Sequence, residues 1–535
     1  MPPSASHSPL SPLSALLHAG AVWGERPAVR WDAWAVTYRE LLDRCARVAG
    51  GLGACGVRPG DRVAAILPNV PELLELHFAV PAAGAVLVPL NVRMTGADLA
   101  YILEHSGARV LVAHPSLADV VAAATARLAE RPQVIMTRAQ AADDSEYEQR
   151  LAAAAARAIA PPADEDALLS INYTSGTTGR PKGVMYTHRG AYLHTLGVIA
   201  EAHLDTRTAY LWTLPMFHCN GWAFTWAVTA MGGEHRCLAK FDATTVWEML
   251  AAGEVSHLCG APTVLTLLAG DPGAVRLPRD VSVFVGGAPP SPALLRVVEE
   301  LGMRVTHLYG LTETYGPIAV CAWQPAWDAL AAPERMVMRS RQGVGTVVSE
   351  ALRIVDPAGR DVPADGQTLG EIVMRGNNVA VGYYRDERAT AAAFRDGWFH
   401  SGDLGVMHPD GYVEIRDRLK DMIISGGENI SSIEVEHALA AHPEVVEVAV
   451  VGVADDVWGE VPKAYVVLRA GAGAGPDDLR EFARTHLARH KVPKAVELTG
   501  ALPKTATGKV QKHVLRERAR AETASEVLGE RSGSV

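Results

Sequence analysis

The run Tyr173-Thr174-Ser175-Gly176-Thr177-Thr178-Gly179-Arg180-Pro181-Lys182-Gly183 crowds hydroxyls, glycines and one lysine into a single short stretch. Such a stretch offers main-chain N–H groups, hydroxyl donors and a mobile cation, the set that a polyphosphate requires of a loop. The P-loop spacing G-x-x-x-x-G-K-[ST] is not met, because Gly179 follows Gly176 and Arg180-Pro181-Lys182 comes next. A P-loop NTPase is therefore excluded.

Four further blocks carry chemistry. Tyr309-Gly310-Leu311-Thr312-Glu313-Thr314 joins a ring able to stack on a base, a hydroxyl able to bond an α-phosphate and a carboxylate able to hold Mg2+ between phosphates. Taken alone it is equally an ordinary helix start. Trp398-Phe399-His400-Ser401-Gly402-Asp403 sets a carboxylate after a glycine turn, suited to two ribose hydroxyls or to capping a turn. Arg416-Asp417-Arg418-Leu419-Lys420-Asp421 reads by itself as a solvated charge run. Pro503-Lys504-Thr505-Ala506-Thr507-Gly508-Lys509-Val510-Gln511-Lys512 reads by itself as a lysine-bearing surface loop.

In this order the five blocks resemble the signatures of the adenylate-forming superfamily, which includes acyl-CoA synthetases, adenylation domains and luciferases. The likeness is nearest to medium-chain and plant-type acyl-activating enzymes and covers nearly the whole chain. It implies an ATP-dependent acid:CoA ligase: a carboxylate attacks the ATP α-phosphate, pyrophosphate leaves, and a thiol then takes the acyl group. ATP, Mg2+ and coenzyme A are the implied cofactor set, with a fatty acid of short to medium chain or an aryl or cinnamic-type acid as substrate.

The resemblance also implies roles. Lys509, Thr312, Glu313 and His218 are the catalytic set. Thr174, Ser175, Gly176, Thr177, Thr178, Lys182, Gly287, Ala288, His307, Tyr309, Gly310, Asp403 and Arg418 join Thr312 and Lys509 around ATP, and Thr174 and Glu313 face the metal. His218, Trp222, Phe224, Gly286, Gly310 and Pro317 line the acid pocket, with Trp222 in the place of a gate. Lys420 is the hinge, and Gly426 and Gly427 border the CoA tunnel. His218 read alone is as well a core histidine, and Trp222 an ordinary core aromatic. Two other readings stay open: the same chemistry with a carrier protein as acceptor or with nitrite activated against an arylamine, and a non-catalytic nucleotide-binding protein. Family likeness also leaves a homodimer open.

Composition bounds the class. The 535 residues are 48% hydrophobic, enough for a large core and a second, smaller one. A formal charge of −10 gives no footprint for nucleic acid or an anionic membrane. Six cysteines without a C-x-x-C pair predict reduced, mostly buried thiols. The chain starts without a secretory pattern, and no run of about 18 apolar residues is uninterrupted, so a cytoplasmic protein without a membrane span is expected.

The elements that must position these blocks alternate. Helices at 38–52 and from 70 are interleaved with strands at 62–67 and 86–90, and strands recur at 108–112, 134–136, 209–212, 255–258 and 281–285. This is the pattern of an α/β fold with helices layered on sheets. An alanine-rich surface helix is expected at 152–160, and a compact β subdomain at 343–415. A small α+β domain follows, with helices at 432–441 and 476–490 and strands at 447–453 and 464–468. The expected division is 1–417 for the AMP-binding portion, 418–520 for a small mobile C-terminal domain carrying the lysine, and 521–535 for a disordered tail.

Overall fold

Thr37 starts the first layered unit by a reciprocal cap: its hydroxyl accepts from the Glu40 N–H while the Glu40 carboxylate accepts from the Thr37 N–H at 2.7 Å. The helix that follows, Tyr38–Ala54, leads to the strand Arg62–Ile66. The computed structural model describes residues 6–174, 180–455, 457–505 and 509–532, with side chains to residue 522.

Arg62–Ile66 lies between Ala108–Ala113 and Val86–Pro89, all parallel. Leu168–Thr174 joins beyond Val86–Pro89, and Lys182–Thr187 folds back on it antiparallel, closing a six-stranded sheet. A second, nine-stranded sheet runs through Ala209–Leu211, His257–Gly260, Val281–Val285 and Met303–Leu311 in parallel register, with Gly316–Val320 returning antiparallel. Helix Pro71–Ala82 is buried at every residue, including Glu72, Glu75 and His77. Its side chains belong to one core that also takes Tyr210 and Trp212 from the second sheet and Val63 and Leu87 from the first. Burial on all sides is why this helix lacks the one-sided pattern of a surface helix.

The expected β subdomain is a five-stranded sheet built on Gly370–Met374, Trp398–Met407 and Val413–Arg418. The C-terminal part is a separate five-stranded sheet centred on the long pair Val445–Asp455 and Gly459–Leu468, covered by helices Ser432–Ala440 and Pro476–His486. No helix among the described residues is long and apolar enough to cross a membrane. All six cysteines are free and five are buried.

Two local expectations are corrected. The alanine-rich stretch is not a helix beyond Ala153, since helix Glu146–Ala153 ends there and Ala154 is extended. The stretch lies against the long helix instead, with the Arg157 N–H donating to the Ala46 carbonyl at 2.9 Å and the Ala155 carbonyl filling the space a side chain at Gly50 would take. Tertiary contact outweighs the helix propensity of alanine. The helix expected to reach residue 490 stops at His486, where Leu487 turns extended. The last helix is Lys512–Ser532. Leu515 and Ala519 anchor its first turns, and Ala, Glu and Arg that follow are strong helix formers.

Candidate active site

Thr174 stands opposite Lys182 at the end of the antiparallel pair Leu168–Thr174 and Lys182–Thr187, so the hydroxyl-glycine run connects a hairpin. Ser175, Gly176, Thr177 and Thr178 lie outside the described residues. The Lys182 ammonium sits 4.8 Å from the ring centre of Tyr383. The Tyr383 hydroxyl donates to Oε1 of Glu313 at 2.7 Å. One tyrosine thus links the hairpin lysine to the carboxylate of the second block. Burial raises the pKa of Glu313, against the Tyr383 hydrogen bond and the Lys182 charge. A half-buried carboxylate held in this way favours a cation beside it.

Thr312 is held from two sides. Its carbonyl accepts from the Tyr186 hydroxyl at 2.5 Å, and its own hydroxyl accepts from the Cys219 thiol at 3.7 Å. Tyr186 stacks on Tyr315 at 3.9 Å, and the Tyr315 hydroxyl accepts from the Thr187 N–H at 2.8 Å, which fixes the turn to the second hairpin strand. Gly310 has to be glycine, because a Cβ there would lie 1.9 Å from the Gly316 carbonyl oxygen where the chain doubles back.

Asp403 and Arg418 face each other across the strands Trp398–Met407 and Val413–Arg418. Arg418 Nε is 3.3 Å from Oδ1 of Asp403, and the Tyr309 hydroxyl donates to Oδ2 at 2.7 Å. The second, third and fourth blocks therefore meet at one carboxylate. Lys509 comes to them from the C-terminal part on a small hairpin bridged at Lys504 and Val510, its N–H donating to Thr505 Oγ1 at 3.1 Å. Arg93 reaches the Thr505 carbonyl at 3.5 Å and ties that hairpin to the large portion. Burial lowers the Lys509 pKa to about 7; the Arg418 and Lys420 charges act in the same direction, and Asp403 and Asp421 oppose them. Burial, then the Lys509 charge, lowers His218 to about 4. Lys420 is likewise lowered by burial and by Arg418.

His307 precedes Tyr309 by one step on the same strand face. Its ring is buried, and Nδ1 donates to the carbonyls of Ser340 and Arg341 at 3.0 and 2.9 Å. Gly287 is exposed and Ala288 half-buried at the end of strand Val281–Val285. Gly426 and Gly427 are exposed at the tip of the hairpin formed by Ile423–Ser425 and Glu428–Ile430, with the Trp458 indole packed against Gly426.

The acid-pocket segment is a left-handed turn. Cys219, Asn220, Gly221, Trp222 and Ala223 all have positive φ, of 49°, 52°, 63°, 53° and 62°. Each non-glycine residue in that region costs about 1–2 kcal/mol. The turn is held by Asn220, whose Oδ1 accepts from Ser170 Oγ at 2.9 Å and from Asn172 Nδ2 at 2.8 Å, and whose carbonyl accepts from Thr225 Oγ1 at 3.0 Å. It directs the Trp222 indole between Gly286 and Gly316, where a Cβ on either glycine would come within 2.9 Å of the ring. Phe224 and Pro317 are buried close by, walling a common cavity.

Sequence reasoning missed the groups that hold these residues: Tyr186, Tyr315 and Tyr383, and the Ser170, Asn172 and Asn220 cluster. Only the Asn220-Gly221 dipeptide carried a signal, since Asn and Gly both tolerate left-handed backbone. Among the described residues no group of three or more acidic, His or Cys side chains forms a metal cluster. One carboxylate, Glu313, beside the Thr174 hairpin suits a Mg2+ ion that takes its other ligands from phosphates and water.

Comparison with known proteins accords with this geometry. Residues 16–384 match the family described as AMP-binding enzyme, and residues 434–509 match the AMP-binding enzyme C-terminal domain. The chain is 42% identical over 538 residues to a 2-methylpropanoate–CoA ligase of Humulus lupulus, covering 97% of each. It is 42% identical over 545 residues to an acetate/butyrate–CoA ligase, peroxisomal, of Arabidopsis thaliana, covering 96% of this chain and 95% of that one. Among solved structures, ATP-bound MatB from Rhodopseudomonas palustris superposes with a TM-score of 0.83 at 30% identity, over 95% of this chain and 98% of that one. An anthranilate CoA ligase bound to anthranoyl-AMP shares the fold, with a TM-score of 0.86 at 22% identity.

Proposed function

The chain belongs to the AMP-binding enzyme family, and we propose that it is an ATP-dependent acid:CoA ligase that activates an apolar carboxylic acid as its acyl-adenylate. What supports the reading is that the charge of Lys509, from the small C-terminal part, acts on His218 of the large one and feels Arg418 and Asp403 there, while Arg93 ties its hairpin to the large portion. Full-length likeness to relatives named as CoA ligases supports the same chemistry and the thiol acceptor.

Asp403 takes the ribose hydroxyls, oriented by Tyr309 and Arg418. Lys182 and the hairpin grip the phosphates, and Thr312 bonds the α-phosphate from a position fixed by Tyr186 and Cys219. Glu313 and Thr174 would hold Mg2+, which supplies charge neutralisation between phosphates. His218 is neutral and bonds the substrate carboxylate without adding a charge. The carboxylate oxygen attacks the α-phosphorus and pyrophosphate leaves. Lys509 lowers the barrier by standing where negative charge gathers, a contribution of about 3–4 kcal/mol for one such donor. For the second step the Gly426-Gly427 hairpin moves to border the pantetheine path, with the hinge at Lys420. The thiolate then attacks the acyl carbon and AMP departs.

The acid is small or of medium length, in keeping with the acetate, butyrate and 2-methylpropanoate named for relatives. Six free thiols suit a reducing compartment such as the cytoplasm. The test is pyrophosphate release from Mg2+-ATP over a panel of fatty, benzoic and cinnamic acids, with and without CoA, with products identified by mass. Acid-dependent release yielding an acyl-CoA supports the ligase. Release without a thioester overturns CoA as the acceptor, and no release with any acid overturns the activity.

A further inference from the structure

Asp417 is a buried carboxylate, 1% exposed, at the end of the strand Val413–Arg418, where pairing with Leu404 fixes it in the sheet of the large portion. Its partners belong to the small C-terminal part. Oδ2 accepts from the Ser432 N–H at 2.5 Å and Oδ1 from the Ser432 hydroxyl at 3.0 Å. Beside them the Ser431 hydroxyl donates to the Arg416 carbonyl at 2.5 Å. Ser431 caps and Ser432 opens the helix Ser432–Ala440, whose Val435 and Leu439 share a core with Ile423 and Val450 of the small sheet. Three hydrogen bonds therefore join two separately packed bodies. Four residues on from Asp417, the Asp421 carboxylate accepts from the Arg516 guanidinium of the last helix, so Asp421 already belongs to the small part. The boundary between the bodies falls between Asp417 and Asp421.

The contact extends to the lysine. Lys512 Nζ donates to Ser432 Oγ at 2.5 Å and pairs with Glu436 at 2.7 Å. The Ser432 hydroxyl thus accepts from an ammonium while it donates to a carboxylate, and charge-assisted bonds of this kind are the strong ones. Lys512 directly follows Gln511, whose N–H closes the Lys509 hairpin on the Pro503 carbonyl at 2.8 Å. At the other end, Asp417 Oδ1 also accepts from the Arg418 N–H at 2.8 Å, and Arg418 meets Asp403. A line of charged and hydroxyl groups runs from the Lys509 hairpin through Lys512, Ser432 and Asp417 to the carboxylate assigned to ribose.

We propose that Asp417 is a positioning residue for adenylate formation: through Ser432 and Lys512 it holds the small part in the pose that brings Lys509 to the site, and these bonds part before the thiol step. The inference deepens the ligase reading and rests on it, with the hinge at Lys420. Gly426 and Gly427 are exposed and lie on the small part, so they reach the pantetheine path by a turn of that part about the hinge. In such a turn Asp417 stays paired in its sheet, while Ser431 and Ser432 travel with their helix. Hydrogen bonds of this length do not outlast a separation of more than about 1 Å. The contacts that favour the first half-reaction therefore oppose the second, and their strength sets the balance between the two poses.

The test separates the half-reactions in the full-length enzyme. ATP–pyrophosphate exchange reads the first, and CoA-dependent AMP release from the chemically made adenylate of an accepted acid reads the second. Asp417→Asn and Ser432→Ala are each expected to lower the exchange kcat by about tenfold, with the KM for ATP within about threefold of the parent. The second half-reaction is expected to keep its rate or to gain up to about threefold. Trypsin cleavage after Arg418, which needs no turnover, is expected to be about threefold faster or more in both variants. Ser432→Ala decides if Asp417→Asn does not fold. The proposal is overturned if both half-reactions fall together, if exchange is unchanged, if only the KM for ATP moves, or if cleavage after Arg418 is no faster. Absence of exchange in the parent with every acid would instead sink the ligase reading, and the cleavage rates would still show whether Asp417 and Ser432 hold the two parts together.

Discussion

The Tyr383 hydroxyl donates to Oε1 of Glu313 at 2.7 Å, while the same ring carries the Lys182 ammonium 4.8 Å from its centre. That hydrogen bond lowers a Glu313 pKa that burial has raised. Removing it by Tyr383→Phe raises the pKa further, so the acid limb of activity moves to higher pH. Loss of a bond to a charged group is worth about 1.5–3 kcal/mol, and the KM for Mg2+-ATP is expected to rise about tenfold or more. Steady-state kinetics against Mg2+-ATP at several pH values check both effects, and an unchanged acid limb contradicts the coupling.

Lys509 titrates near 7 in the free protein. Its cation is the useful form, so the rate constant for free enzyme and ATP falls as pH rises through about 7. Bound triphosphate raises the lysine pKa, and the saturated rate holds to higher pH. His218, lowered to about 4, stays neutral throughout and adds no limb near neutrality. ATP–pyrophosphate exchange against pH reads the profile, and Lys509→Arg is expected to remove the alkaline limb. A limb that survives the arginine variant assigns it elsewhere.

Gly221 has φ 63°, and a Cβ on it would lie 2.6 Å from the Trp212 ring. Gly221→Ala therefore adds left-handed strain of about 1–2 kcal/mol to overpacking of about 1–3 kcal/mol. Thermal unfolding should show a clear drop in Tm. Asn220→Ala, which releases the bonds from Ser170 and Asn172, should do the same and also weaken acid binding. A variant as stable as the parent would show that the turn is not strained.

Trp222→Ala opens the wedge between Gly286 and Gly316. Acid preference is expected to shift towards longer acids by about tenfold, in line with about 1–3 kcal/mol for apolar contacts, while the KM for ATP stays within about twofold. An unchanged acid profile removes Trp222 from the pocket wall.

Much of this was legible in the sequence because the chemistry lies in contiguous blocks. Thr312 and Glu313 are neighbours, and Asp403 and Arg418 lie on adjacent strands whose alternation could be read. What held those blocks was not legible. Tyr383 lies 70 residues from Glu313, and Tyr186 lies 126 residues from Thr312. Such pairs exist only once two sheets are packed. The left-handed turn at 219–223 was hidden for another reason, since Cys, Trp and Ala rarely adopt positive φ and only the Asn220 network holds them there.

The central claim is that the acid's own oxygen attacks the α-phosphate. Turnover with a substrate acid labelled with 18O in its carboxylate, followed by mass analysis of the nucleotide, tests it directly. The account predicts one 18O atom in AMP and none in pyrophosphate. Label in inorganic phosphate, with ADP as the nucleotide product, or AMP without label, would contradict it.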